Sequence, residues 1–273
     1  MSGDKQVVLI TGGNTGLGLE IVKALSKTDT PYEIIIGCRT TSKGDAAIEE
    51  VKKEIPQSPS SFSTVAVDLS SDSSLEKAVE EIGSKHGRLD VLVNNGGANF
   101  DGEIKSGKMG IREAFNASWD TNVSGTHVLT TYAAPLLLKA SNPRLMFVTS
   151  GTSTITETES TATPVLARLN APLPAGWPKE PEMNPITSYR SSKAGLNMLM
   201  REWYRFFGND GVKVWCISPG FLATGLAGLG VEKLKSIGAL DPSVGGNFVK
   251  DVIEGKRDQD TGKVIRSDMI QPW

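Results

Sequence analysis

"TGGNTGLG", residues Thr11–Gly18, closes one kind of pattern and opens another. Ahead of it, "QVVLIT" (Gln6–Thr11) is a near-continuously apolar, β-branched run, as expected of a strand covered on both faces. Behind it, Leu19, Ile21, Val22 and Leu25 read as a helix. Glycines at a strand-to-helix turn permit positive φ and let backbone N–H groups approach a pyrophosphate, and the helix start adds partial positive charge. A glycine pattern alone is weak. This one stands after the first strand and opens the first helix, where the mechanism needs it. It predicts a dinucleotide site built on Gly12, Asn14, Thr15, Gly16, Leu17 and Gly18.

Further apolar runs follow at intervals: "EIIIGC" (Glu33–Cys38), "STVAVD" (Ser63–Asp68), "DVLVNN" (Asp90–Asn95), "RLMFVT" (Arg144–Thr149) and "VKVWCI" (Val212–Ile217). Helix-like stretches lie between them. In Ser73–Lys85, Leu75, Val79 and Ile82 recur at helical spacing, with Asp72 or a neighbouring serine as N-cap. Strand–helix alternation at this spacing predicts an α/β fold with a doubly wound parallel sheet, helices on both faces, and one domain over residues 1–273. A short strand over Lys263–Arg266 would be the seventh, and Trp273 beyond it either docks or is free.

The 273 residues carry a formal net charge of −2, with 38% hydrophobic and 22% charged residues. Such a balance offers no basic surface for nucleic acid or an anionic membrane. No apolar run is long enough to span a bilayer, and "MSGDKQVVLI" lacks the layout of a secretory signal. Cys38 and Cys216 both fall in apolar strands, so free buried thiols and a cytoplasmic location are expected. His86 and His127 are the only histidines and belong to no ligand cluster, so no metal is expected.

At the end of the second strand, "GCRT" has Cys38 about where an acid would hold an adenosine 2′-hydroxyl, and Arg39 follows, with Lys43 nearby. A basic residue there accommodates a 2′-phosphate, which favours NADP(H) over NAD; the bland alternative is a solvated strand-end cation. Asp68 could accept from the adenine amino group or cap its own turn.

Downstream, "TSYRSSKAGL" (Thr187–Leu196) sets Tyr189 and Lys193 one helical turn apart. The glycine turn combined with Tyr-x-x-x-Lys resembles the short-chain dehydrogenase/reductase family. "NNGGA" (Asn94–Ala98), Asn122 in "WDTNVSGT", Ser150 in "FVTSG" and "SPGFLAT" (Ser218–Thr224) match further family motifs in order over residues 6–255. The departures are Gly96 in place of the usual alanine and a longer interval between Ser150 and Tyr189. The chain is also similar to carbonyl reductases and to reductases of fungal secondary metabolism. The resemblance implies a Rossmann fold and a catalytic set of Asn122, Ser150, Tyr189 and Lys193. It also implies cofactor contacts at Leu69, Asn95, Gly96, Tyr189, Lys193, Pro219, Gly220, Leu222 and Thr224.

A free phenol titrates near pKa ~10, too high for easy proton exchange near neutrality. An ammonium one turn away should stabilise phenolate and lower that value. Tyr189 is thus expected as general acid in reduction, with Lys193 tuning it. Ser150 would polarise the carbonyl. By the resemblance, Asn122 would hold a water behind Lys193.

Residues 151–186, rich in Thr, Ser and Pro, read as an irregular insertion and as a lid or wall over the site. The apolar, glycine-flanked stretch after Pro219 would form the other wall, which points to a small, largely apolar or aromatic substrate. Trp177 is expected to pin the insertion to the body, the alternative being an aromatic of the substrate pocket. The leading function is reduction of a ketone or aldehyde. The same scaffold could instead reduce imines, epimerise or dehydrate, or act as a non-catalytic NADP(H)-binding sensor. Monomer or homo-oligomer is left open.

Overall fold

Seven parallel strands are laid side by side in the order β3-β2-β1-β4-β5-β6-β7 in the computed structural model, which describes residues 5–179 and 186–273. The strands are β1 (Gln6–Thr11), β2 (Tyr32–Cys38), β3 (Ser61–Ala66), β4 (Val91–Asn94), β5 (Arg144–Val148), β6 (Lys213–Ile217) and β7 (Val264–Ile265). The helices among the described residues begin with α1 (Gly16–Ser26), α2 (Thr41–Glu54), α3 (Asp72–His86), α4 (Asp101–Lys105) and α5 (Ile111–Trp119). A π-helical turn, Asp120–Ser124, then leads into α6 (Gly125–Leu137). After these come α7 (Pro164–Asn170), α8 (Thr187–Phe206), α9 (Val231–Ser236) and α10 (Pro242–Ile253). The result is one doubly wound Rossmann-like domain.

Alternation along each strand sends side chains to opposite faces. Leu9, Leu92 and Phe147 join α3, α6 and α8 residues in one core cluster. Ile10, Val93 and Trp215 join α1, α2 and α10 residues in the other. Because both faces are covered, the central strands are apolar throughout rather than alternating. Strand order reverses between β1 and β4, and ligands of open α/β sheets bind in the crevice at the carboxyl ends of such strands. Both "TGGNTGLG" and "NNGGA" emerge there.

Some boundaries shift. The third strand is Ser61–Ala66, two residues earlier than its apolar run suggests, because Asp68 is drawn into a turn in which its Oδ1 accepts from Ser70 N and Oγ. Ser71, rather than Asp72, caps α3 by accepting from Ser74 N, and Gly87 closes that helix in the left-handed region. The seventh strand is only Val264–Ile265. The insertion is not wholly irregular: Thr163 and Pro164 start α7, with Thr163 Oγ1 accepting from Leu166 N. That is an N-cap and first-turn proline signature. Residues 180–185 of the insertion and 1–4 of the start lie outside the described residues. Among the described residues, no helix is long and apolar enough to cross a membrane and no cluster of ligating side chains could hold a metal ion. Cys38 and Cys216 are buried free thiols, as expected.

Candidate active site

The glycine turn has the conformation its residues allow. Gly12 and Gly16 take positive φ (65° and 53°). A Cβ on Gly18 would lie 2.2 Å from the Gly12 carbonyl oxygen, so α1 presses directly on the turn. The α1 N-terminus carries no side-chain cap and no acid in its first turn, which leaves its backbone donors suited to an anion. From β4, Asn95 Nδ2 donates to Thr11 O (2.8 Å) and Gly96 N to Thr11 Oγ1 (2.8 Å), locking the two strand ends together.

The other cofactor candidates converge on this cradle. Leu17, Pro219 and Leu222 all approach Gly245 of α10, where a Cβ would strike Leu222 Cδ1 at 2.6 Å. Gly220 has φ 103°, which turns the chain after β6. A Cβ on Gly16 would touch the Thr224 methyl at 3.6 Å, so Thr224 belongs with the glycine turn. The Leu69 carbonyl lies against Gly125 of α6. Arg39 is exposed, its charge helps hold the Asp68 carboxyl below its ordinary range, and among the described residues it makes no hydrogen bond or ion pair. The leading cause of the Asp68 shift is its bond with Ser70, so this carboxylate caps its turn. These features fit a dinucleotide.

Tyr189 and Lys193 occupy the first two turns of α8. The helix start is fixed from outside by a buried carboxylate: Asp101 Oδ1 accepts from Ser188 N (2.9 Å) and Oδ2 from Tyr189 N (3.0 Å). Lys193, 4% exposed, donates from Nζ to Val148 O (2.8 Å) and lies 5.8 Å from the Tyr189 ring centre. Asn122 is 1% exposed in the π-turn, a type of bulge frequent at functional sites. Its Nδ2 donates to Ala98 O and Ser192 Oγ (2.9 Å each), and its Oδ1 accepts from Ala98 N (2.8 Å). The extended residue Ser150 follows β5, and its Oγ accepts from Thr152 N (3.1 Å). A buried network then runs to α8: Thr149 Oγ1 donates to Asn197 Oδ1 (2.6 Å), Asn197 Nδ2 to Ser153 Oγ (3.0 Å), and Ser153 Oγ to Ser150 O (2.6 Å).

The electrostatics reverse one expectation. The spacing of Tyr189 and Lys193 implies a depressed phenol pKa, but burial pushes Tyr189 up to about 12, with the hydrogen bond from the Ser150 hydroxyl pulling the other way. Burial likewise draws Lys193 down to about 8. The ammonium is engaged with the Val148 carbonyl, and burial is the leading cause of both shifts.

The described part of the insertion is fastened to this centre. Arg190, next to Tyr189, donates from Nε to Thr152 O, from Nη1 to Leu169 O and from Nη2 to Asn170 Oδ1. Arg168 of α7 lies 5.9 Å over the Phe221 ring, so the two stretches expected as walls meet. Trp177 does not pin the loop: it is 87% exposed, and Arg190 holds the insertion instead. Trp273 docks through its carbonyl, which accepts from Thr154 Oγ1 and Thr156 N. Sequence reading missed Asp101, Asn197 and Gln271, whose partners are remote along the chain.

Such a cradle at a parallel-sheet switch point, beside a serine, a tyrosine and a lysine, defines a class of nicotinamide-dependent oxidoreductase. The chain belongs to the short-chain dehydrogenase family, whose model matches residues 6–162. It is 46% identical to the short-chain dehydrogenase/reductase eupG of Phoma sp, over 100% of this chain and 99% of that protein. It is 41% identical to the short-chain dehydrogenase/reductase tropE of Talaromyces stipitatus, over 99% and 98% of the two chains. Among solved structures, NADPH-bound carbonyl reductase from chicken fatty liver superposes with a TM-score of 0.76 at 20% identity, covering 98% of this chain and 99% of that one, a likeness of fold.

Proposed function

We propose that this chain reduces a ketone or aldehyde on a small, largely apolar or aromatic molecule, with NADPH as reductant. The observation that carries this reading is the buried Lys193, held by Val148 O one helical turn from Tyr189, with Ser150 near enough to the phenol to draw its pKa down. Gly12, Asn14, Thr15, Gly16, Leu17 and Gly18 would hold the pyrophosphate. Asp68, Leu69, Asn95 and Gly96 would flank the adenosine half, and Pro219, Gly220, Leu222 and Thr224 the nicotinamide half. NADPH, when bound, supplies the hydride.

The chain's own residues supply the rest. Ser150 Oγ donates to the substrate carbonyl oxygen and fixes its position. Tyr189 donates its proton to the oxygen as negative charge develops there. A phenol titrating near 12 is fully protonated at neutral pH, which suits the reductive direction. Lys193 stabilises the phenolate left behind, and Asn122 holds the π-turn against Ala98 and Ser192 so that a proton path to Lys193 stays formed. Phe221 and α7 wall the substrate. The resemblance to reductases of fungal secondary metabolism points to a secondary-metabolite intermediate as substrate, and buried free thiols support a cytoplasmic setting.

Turnover of NADPH and NADH over a panel of bulky aromatic and alicyclic ketones tests the reading. Arg39→Ala should weaken NADPH about tenfold to a hundredfold while leaving NADH unchanged, since a hydrogen bond to a charged group contributes about 1.5–3 kcal/mol. Equal losses with both cofactors would remove Arg39 from the 2′-phosphate site.

The pH profile follows from the lysine. Lys193 is charged below about 8 and loses its proton above, while Tyr189 keeps its own to about 12. Reductive kcat/KM should therefore be flat near neutrality and fall as pH rises through about 8. In Lys193→Arg, whose guanidinium keeps its charge, any remaining activity should not fall there. A fall at the same pH in that variant would assign it to another group.

A further inference from the structure

We propose that Gln271 is a positioning residue for Ser150, holding that serine from the segment after β7. This rests on the reading of Ser150 as the group that binds the substrate carbonyl. Three donors converge on the Ser150 main-chain oxygen: Ser153 N (3.1 Å), Ser153 Oγ (2.6 Å) and Gln271 Nε2 (3.2 Å). The two from Ser153 belong to the same tight turn and move with it. Gln271 comes from 121 positions away in the chain and ties the turn to the sheet edge.

The amide is itself held at both ends. Gln271 is 2% exposed, and its backbone N donates to Val264 O (2.9 Å), beside β7. Its Oε1 accepts from Arg266 Nε (3.0 Å). Arg266 Nη1 and Nη2 in turn form a two-point ion pair with Glu157 of the insertion, and Nη2 also donates to Gly151 O (3.4 Å). A planar guanidinium bound at both edges fixes the plane of the amide it faces. The relay Glu157–Arg266–Gln271–Ser150 thus joins insertion, sheet edge and the end of β5. Fixing the Ser150–Gly151 peptide sets the direction of the Ser150 Cα–Cβ bond, and so where its hydroxyl points relative to Tyr189. A buried amide with both ends paired is costly to disturb, which makes it a firm support.

The test uses the full chain with NADPH and a ketone that the wild type turns over, comparing Gln271→Met, Gln271→Glu and Ser150→Ala. Methionine keeps the bulk and loses both bonds. Glutamate keeps the acceptor for Arg266 and loses the donor to Ser150. In both Gln271 variants kcat should fall about tenfold to a hundredfold, as misplacement of a reacting group by about 1 Å does. Assayed well below the thermal midpoint of each variant, ketone KM and NADPH affinity should hold, and the deuterium isotope effect from 4-deuterated NADPH should grow as the chemical step slows. Wild-type kcat in both variants, with Ser150→Ala inactive, would overturn the positioning role and leave the serine's. Loss of activity in step with NADPH affinity or with the folded fraction would make Gln271 a merely structural group. An active Ser150→Ala would instead overturn the reading of the serine.

Discussion

Tyr189→Phe is expected to lower reductive kcat about 10²- to 10⁴-fold, the range a positioned general acid contributes. NADPH affinity and stability should be nearly unchanged. The substitution removes one oxygen and leaves the backbone held as before: Asp101 accepts from Tyr189 N, and Arg190, its neighbour, ties the insertion, while Lys193 lies 5.8 Å from the ring centre. The ring thus keeps its place while the proton source is lost. The nearby Lys193 does not stand in as the acid, because its Nζ is committed to Val148 O. Stopped-flow reduction with NADPH, together with cofactor titration by fluorescence, separates the two quantities. Undiminished turnover in the phenylalanine variant would remove Tyr189 from the chemistry.

Gly18→Ala is expected to damage cofactor binding and fold together. Its Cβ would sit 2.2 Å from Gly12 O and 2.7 Å from Asn95 Nδ2, and the first of these is backbone. No rotamer change relieves a contact with backbone, so α1 and the turn must separate. Forcing one methyl into a packed site costs about 1–3 kcal/mol. Here the displaced element is also the one whose N-terminal donors would face the phosphates under the proposed reading. A shift that removes about 1.4 kcal/mol of binding raises Kd tenfold, and at least that loss is expected. Urea unfolding and NADPH titration of the same sample read both effects. Wild-type affinity in this variant would mean that the α1 terminus does not hold the pyrophosphate.

Both substitutions fall in motifs visible in the chain itself. "TGGNTGLG" declares its conformation because positive φ and close helix approach demand glycine at particular spacings, and those spacings are local. The same holds for β1, β2, β4, β5 and β6, whose apolar continuity reports burial on both faces. It holds for Tyr189 and Lys193, which one turn of helix brings together. The boundaries that moved did so at turns. Asp68 left the third strand for a bond with Ser70, and Thr163–Pro164 opened a helix inside what reads as loop. Trp177 shows the limit of reading a large apolar residue as an anchor, for it is almost fully exposed while a charged one, Arg190, does the anchoring.

The chain alone thus determined the sheet, the glycine turn and the one-turn separation of Tyr189 and Lys193, since each is encoded by short-range spacing, whereas Ser150 and Asn122 are expected from the family resemblance. Only the tertiary structure decided what surrounds them. Asp101 meets Tyr189 across 88 positions and Gln271 meets Ser150 across 121, and no periodicity links such pairs. The direction of the pKa shifts was likewise hidden. Spacing reveals that an ammonium is near a phenol, but desolvation depends on every segment packed around the two, and here it is the leading cause of both shifts.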